Sequence, residues 1–243
     1  ALAKTYEGEF TKFDLNADYG GAVRITFTDT EAVVDGTGAS AEGTVVSIQE
    51  SGTYILSGTC ANGQVLVEVE KNEKVHLVLN GITLGCTASA PLYVLAADKV
   101  SLTLAEGTEN IFTDGVAYDN TQFAKTPNAC ICAKADLAIN GSGSLTVNGN
   151  YNNGIGTSKD LRISGGTIAV TAVKNAVKGN NSVAIANAEL NLRAGNDAIK
   201  SDEDTTDDSK YNFNRTKLDY SEQSTQWVEV VQHTYKFQLV KDK

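Results

Sequence analysis

The sequence lacks methionine altogether and holds only two prolines, two histidines and one tryptophan. With no initiator present, the chain is expected to be mature or trimmed, its signal or lipoprotein anchor already removed. Histidine scarcity excludes a His/Cys metal centre. His76 and His233 are far apart, and the C-x-C of Cys130 and Cys132 has no second pair to complete a zinc set. No run approaches the roughly 18 apolar residues of a helical membrane span, so membrane insertion is not expected. Positive charge is short as well. Lys and Arg number 20 against 30 Asp and Glu, a net charge of −10, which argues against nucleic acid and against an anionic membrane surface. An acidic partner would need positive charge placed between it and this protein. No segment shows a capped helical stripe.

What remains is 243 residues, 41% of them hydrophobic, with 22 glycines and abundant asparagine. That is enough apolar material for a sizeable core. Three segments align with one another. Ile131, Leu137 and Ile139 match Ile155, Leu161 and Ile163, then Val177, Val183 and Ile185. Each continues into a second apolar pair: Leu145/Val147, Ile168/Val170 and Leu190/Leu192. The steps Ile155 to Val177, Val177 to Ile199, Leu161 to Val183 and Ile168 to Leu190 are all 22 residues, and Ile131 to Ile155 is 24. Within a repeat the apolar residues alternate with period two, and Asn140-Gly141, Gly165-Gly166 and Asn180-Asn181 separate the runs. Short strands stacked on equivalent strands one turn later predict an all-β parallel β-helix of about 22 residues per coil.

The reading is one β-helix domain over 1–243: an N-terminal cap and first strands in 1–50, coils in 51–210, and a C-terminal cap in 211–243. Val65 and Leu92 extend the Ile131 column upstream, and residues 113–129 read as a loop inserted between coils. Val23–Phe27 and Val45–Ile48 are expected to cover one end. Trp227, His233 and the alternating segment to Leu239 are expected to close the other. His76 alternates outward from Val75 and Leu77 and is expected at the surface.

Five motifs follow in order: residues 52–58 (GTYILSG), 77–82 (LVLNGI), 104–110 (LAEGTEN), 136–147 (DLAINGSGSLTV) and 196–201 (NDAIKS). Together they resemble a family of secreted bacterial carbohydrate-binding proteins, over roughly residues 45–210. The resemblance implies a right-handed parallel β-helix related in shape to polysaccharide (pectate) lyases. It also implies binding of acidic sugars such as polygalacturonate, and of cellulose, with bound calcium. At the coil corners, where the family often has Asp-Gly-Ile, this chain has Asn-Ala-Val at 175–177 and Asp-Ala-Ile at 197–199.

Asn153, Asn175 and Asp197 each lie two residues before a coil start, 22 apart, and should stack. Strands about 4.8 Å apart would put an ion midway about 2.4 Å from each oxygen, within calcium's range. The residues leave a metal column and a metal-free amide ladder both open; the resemblance favours calcium, with Asp202 as a further ligand. A second column is read as Asp98, Asp136, Asp160 and Ser182, and a third as Cys132, Gly156, Lys178 and Lys200. Lys178 and Lys200 suit sugar carboxylates. Tyr151, beside Asn152 at a corner, suits a sugar ring, with Tyr93 and Tyr118 weaker candidates. Cys60 and Cys86 fall in adjacent coils, which leaves a disulfide or free thiols open. Cys130 and Cys132 are expected to point outward together.

The favoured function is non-catalytic, extracellular or cell-surface binding of an acidic polysaccharide with calcium at the corners. One alternative is a calcium-dependent lyase, with Lys178 or Lys200 as base and Arg162 or Arg193 as further options. Another is a surface adhesin or spacer. Hydrolysis is disfavoured because no two carboxylates can be placed facing each other. Oligomeric state is not legible.

Overall fold

The computed structural model describes residues 10–119, 121 and 123–202, together with the backbone of the short strands Glu229–Val230, His233–Thr234 and Phe237–Val240. No helix occurs among them. Each coil lays down three short strands, and each strand pairs in parallel with its equivalent one coil later. Face one carries Val45–Ile48, Gln64–Glu68, Leu92–Ala96, Ala129–Ala133, Asn153–Thr157, Val177–Gly179 and Ile199–Ser201. Face two runs through the first halves of Gly52–Cys60 and Lys74–Cys86, then Lys99–Leu104, Asp136–Gly141, Asp160–Ile163 and Ser182–Ile185. Face three takes their second halves, then Glu109–Asp114, Ser144–Gly149, Thr167–Ala172, Glu189–Ala194 and Phe237–Val240. The two long strands join faces two and three into one curled sheet.

The repeat spacing is the cause of this winding. Val65, Leu92, Ile131, Ile155, Val177 and Ile199 are direct register partners, as expected. So are Leu137, Leu161 and Val183 on face two, and Leu145, Ile168 and Leu190 on face three. Apart from Ile199, which is half-buried, these side chains form a single buried core. Each such aliphatic contributes about 1.5–3 kcal/mol by leaving water. Because the coil alone cannot bury them, stability comes from stacking.

The N-terminal end is closed differently from expectation. Val23–Phe27 and Val45–Ile48 are parallel rungs of the stack, not its cover. The closure comes from Ala32–Asp35 and Ala39–Glu42, which pair antiparallel with them and face solvent on their outer edge. An antiparallel terminal strand breaks the parallel register that a further coil would copy. At the other end Phe237–Val240 joins face three parallel to Glu189–Ala194. Trp227, the acidic stretch beyond Asp202 and most of the expected cap lie outside the described residues.

Three further expectations are corrected. The charged column on face two contains Lys99, not Asp98, in register with Asp136, so it reads Lys74, Lys99, Asp136, Asp160, Ser182. Opposite charges therefore meet at Lys99 and Asp136, 3.8 Å apart, while Asp136 and Asp160 still neighbour each other. Cys130 joins the main core while Cys132 faces outward, because Cys130 stands at the corner where alternation has not begun. All four cysteines are free thiols. Cys60 stands opposite Leu84, two residues short of Cys86, so the two are out of register for a disulfide.

His76 is the third. It does point away from the core, but the segment from Thr11 to Asn16 lies across face two and covers it, leaving 2% exposed. Asn140 donates to the carbonyls of Asp14 (2.8 Å) and Asn16 (3.0 Å), and the Asp14 carboxylate meets Lys99 Nζ at 2.8 Å. His76 Nε2 bonds Thr103 Oγ1 at 2.7 Å, and its Nδ1 has no partner. Burial pushes the imidazole below its usual 6.5, and Asp18 pulls only part of the way back. Below pH 6.5 the unfolded chain therefore binds more protons than the folded one, so stability is lost as pH falls from there. Asp14, held low by Lys99 and Thr11 against its own burial, adds its loss only below 3.8. Denaturant midpoints should drop between about pH 7.5 and pH 5.5, and His76→Gln should flatten most of that drop.

Candidate functional site

The outward column of face one runs Leu66, Tyr93, Cys132, Gly156, Lys178, Lys200 in unbroken register. Its first half is roofed by the inserted loop between Asp114 and Ala129. Tyr93 Oη donates to Lys125 O at 2.9 Å, and Phe123 packs edge-on against the Tyr93 ring at 5.1 Å. Tyr118 donates to the Asp114 carboxylate at 2.6 Å and stacks on Tyr151, ring centroids 4.1 Å apart. These side chains make a small second core outside the sheet. The loop thus has its own apolar anchor, which fixes Lys125 and Asn128 in place.

Where the roof stops, Gly156 offers no side chain and an open trough of about 240 Å³ remains. That is below the roughly 300–1,000 Å³ of sites that engulf a ligand, and suits a chain lying along the surface. Lys125, Lys134 and Lys178 line it, with Thr126, Asn128 and Asn180 between them, and no carboxylate does. Lys134 Nζ lies 4.9 Å from the Tyr93 ring centroid. Neither Lys125 nor Lys134 makes an ion pair among the described residues. Burial pushes the Cys132 thiol up to about 11, so it is a protonated wall and not a nucleophile.

Asn153 and Asn175 are buried and do stack. Asn153 Oδ1 accepts from Asn175 Nδ2 at 2.7 Å and from Asn175 N at 3.2 Å. Asn153 Nδ2 donates to Asn128 O at 2.7 Å, and Asn175 Oδ1 accepts from Asp197 N at 3.2 Å. The column is an amide ladder whose oxygens already hold donors. Asp197 and Asp202 instead meet lysines: Lys200 Nζ lies 3.8 Å from Asp197 and 3.5 Å from Asp202, and Lys178 also pairs with Asp202. Bonded amide oxygens plus carboxylates neutralised by ammonium groups do not fit a calcium ion. Among the described residues no group of three His, Cys, Asp or Glu side chains gathers as a metal set.

Tyr151 is half-buried with one ring face stacked on Tyr118, and Asn152 contributes its carbonyl to Lys174 N at 2.8 Å. Lys178 lines the trough, but both it and Lys200 are engaged by carboxylates and do not stand free as a base. Arg162 and Arg193 lie on faces two and three, away from it. The sequence reading missed Lys125 and Lys134. Lys134 immediately follows the strand Ala129–Ala133 and could have been placed by it, whereas Lys125 sits in the insertion, which has no periodic counterpart.

Residues 42–214 match the model of the carbohydrate-binding domain-containing protein family. A carbohydrate-binding domain-containing protein of Acetivibrio thermocellus is 44% identical over 152 residues, 61% of this chain. This chain spans about half (53%) of that curated relative's length. A solved structure, the polysaccharide lyase-like protein from C. thermocellum as a gadolinium derivative, superposes with a TM-score of 0.73 at 42% identity. The match covers 77% of this chain and 76% of that one. With the curled parallel sheet and the matched span, the chain belongs to the family of carbohydrate-binding domain-containing proteins, on a fold shared with polysaccharide lyase-like proteins.

Proposed function

We propose that this protein binds acidic polysaccharides, without cleaving them, along the trough of face one. One observation supports this above the rest. On a chain of net charge −10, the trough presents three lysines and no carboxylate. A uronate chain would set its carboxylates against Lys125 and Lys134, with its sugar rings over the floor at Gly156. Direct ammonium–carboxylate contact reconciles an acidic protein with an acidic ligand and requires no bridging cation. Such polymers lie outside the cell, so the proposal carries an extracellular or cell-surface setting with it.

The experiment is affinity electrophoresis in polygalacturonate, run with and without chelator and across a salt series. Retardation should persist in chelator and weaken as salt rises past about 0.1 M, where exposed charges are screened. Loss of retardation in chelator alone would overturn direct contact and restore a cation bridge.

A second ligand has a separate observation behind it. Face three turns outward a flat array of small neutral groups, among them Thr83, Thr113, Thr146, Asn148 and Thr171. These hydroxyls and amides, bordered by Glu109, Glu189 and Arg193, suit a neutral polysaccharide surface such as cellulose. Pull-down on cellulose in the same salt series separates the two: binding at face three should not respond to salt.

A further inference from the structure

Beyond Gly156 the outward column ends in two lysines. Lys178 and Lys200 are register partners on consecutive coils, one strand spacing apart, about 4.8 Å. Two ammonium groups carried that close repel unless an anion stands between them. Asp202 is that anion. Its carboxylate pairs with Lys178 and lies 3.5 Å from Lys200 Nζ. Its backbone is tied down by Asp202 N donating to Asn180 O at 3.0 Å. Burial alone would raise its pKa, but the two lysines outweigh that and hold it below the usual carboxylate value. The Asp202 side chain is nevertheless 40% exposed, and Lys178 borders the trough directly. A carboxylate is thus already seated at the open end of a channel that otherwise lacks one.

We propose that Lys178 and Lys200 form a carboxylate subsite at the end of the trough, and that Asp202 is its resident, exchanged for a uronate carboxylate when a chain binds. This rests on the reading of the trough as an acidic-sugar site. The exchange needs only the rotation of one exposed side chain. Because one ion pair replaces another, a lone small carboxylate gains little there. A polymer already held at Lys125 and Lys134 presents its next carboxylate at high local concentration and displaces Asp202. The resident therefore discriminates polyuronates from isolated acids. Neutral sugars leave it in place.

The test is calorimetric titration of a short oligogalacturonate at low salt into the wild-type chain, Asp202→Asn, and Asp202→Asn with Lys178→Ala. Asp202→Asn should bind roughly fivefold tighter, since the competitor is gone while both ammonium groups stay. The gain should vanish in the double variant. Unchanged or weaker binding by Asp202→Asn, or a gain that survives loss of Lys178, overturns the proposal and leaves the trough reading standing. Binding by none of the three chains overturns the trough reading, and this one with it. Carboxyl carbon NMR of Asp202 gives a direct readout. Its titration midpoint should rise when wild type is saturated with ligand, and an unmoved midpoint in a saturated complex overturns the exchange.

Discussion

Reversing both free cations of the trough, Lys125→Glu with Lys134→Glu, is expected to abolish retention by polygalacturonate, at least about a hundredfold in affinity. Each substitution turns an attraction for sugar carboxylate into a repulsion, in a trough with no other unpaired charge. The fold should hardly notice. Lys125 is exposed, and Lys134 loses only its contact with the Tyr93 ring, worth about 0.5–1 kcal/mol. Lys12→Glu with Arg24→Glu changes net charge equally on the remote N-terminal part, and should leave binding near wild type. If that control weakens binding as much, the interaction reads overall charge and not the trough.

Gly141→Ala should be among the most damaging single methyl additions in the coils. Gly141 ends the strand Asp136–Gly141, where the chain turns from face two to face three at φ +95°. A β-carbon there would lie 2.2 Å from Leu104 O, the carbonyl of the rung before it. Left-handed backbone alone costs a non-glycine residue about 1 kcal/mol. The clash is with backbone, so relief requires shifting a rung, and the total should reach about 3 kcal/mol or more. Gly81→Ala is the internal comparison. Gly81 makes the same turn two coils earlier at φ +75°, yet nothing lies within 4 Å of its added carbon. It should lose only the conformational part, about 1 kcal/mol. Denaturant unfolding of the two variants separates strain from collision, and equal losses would remove the collision from the account.

The spiral was legible because it is written in apolar residues at constant spacing. Ile155, Val177 and Ile199 recur every 22 residues, and burial of one forces burial of the others. The third outward column was legible for the same reason, since register fixes Cys132, Gly156, Lys178 and Lys200 together. What escaped was whatever depends on segments outside the repeat. His76 alternates outward, and nothing local says that Phe13 and Asp14 will lie over it. Lys125 belongs to an insertion that has no periodic counterpart, so no column predicts where it lands. Asn153 and Asn175 were placed correctly, but spacing alone does not distinguish an oxygen that holds an ion from one that accepts an amide hydrogen. At this column the Asn153 oxygen accepts from Asn175 N and Nδ2.

The roofing loop occurs at a single rung, between Asp114 and Ala129, although the strands beneath it repeat coil after coil. The backbone of the sheet by itself repeats at every rung and would set no phase for a polymer. The lone insertion removes that translational symmetry, because Lys125 and the Tyr93 wall exist in one place only. A filament laid in the trough consequently has one phase in which its groups match. If the trough binds as proposed, it holds a polymer at a fixed point and does not let it glide.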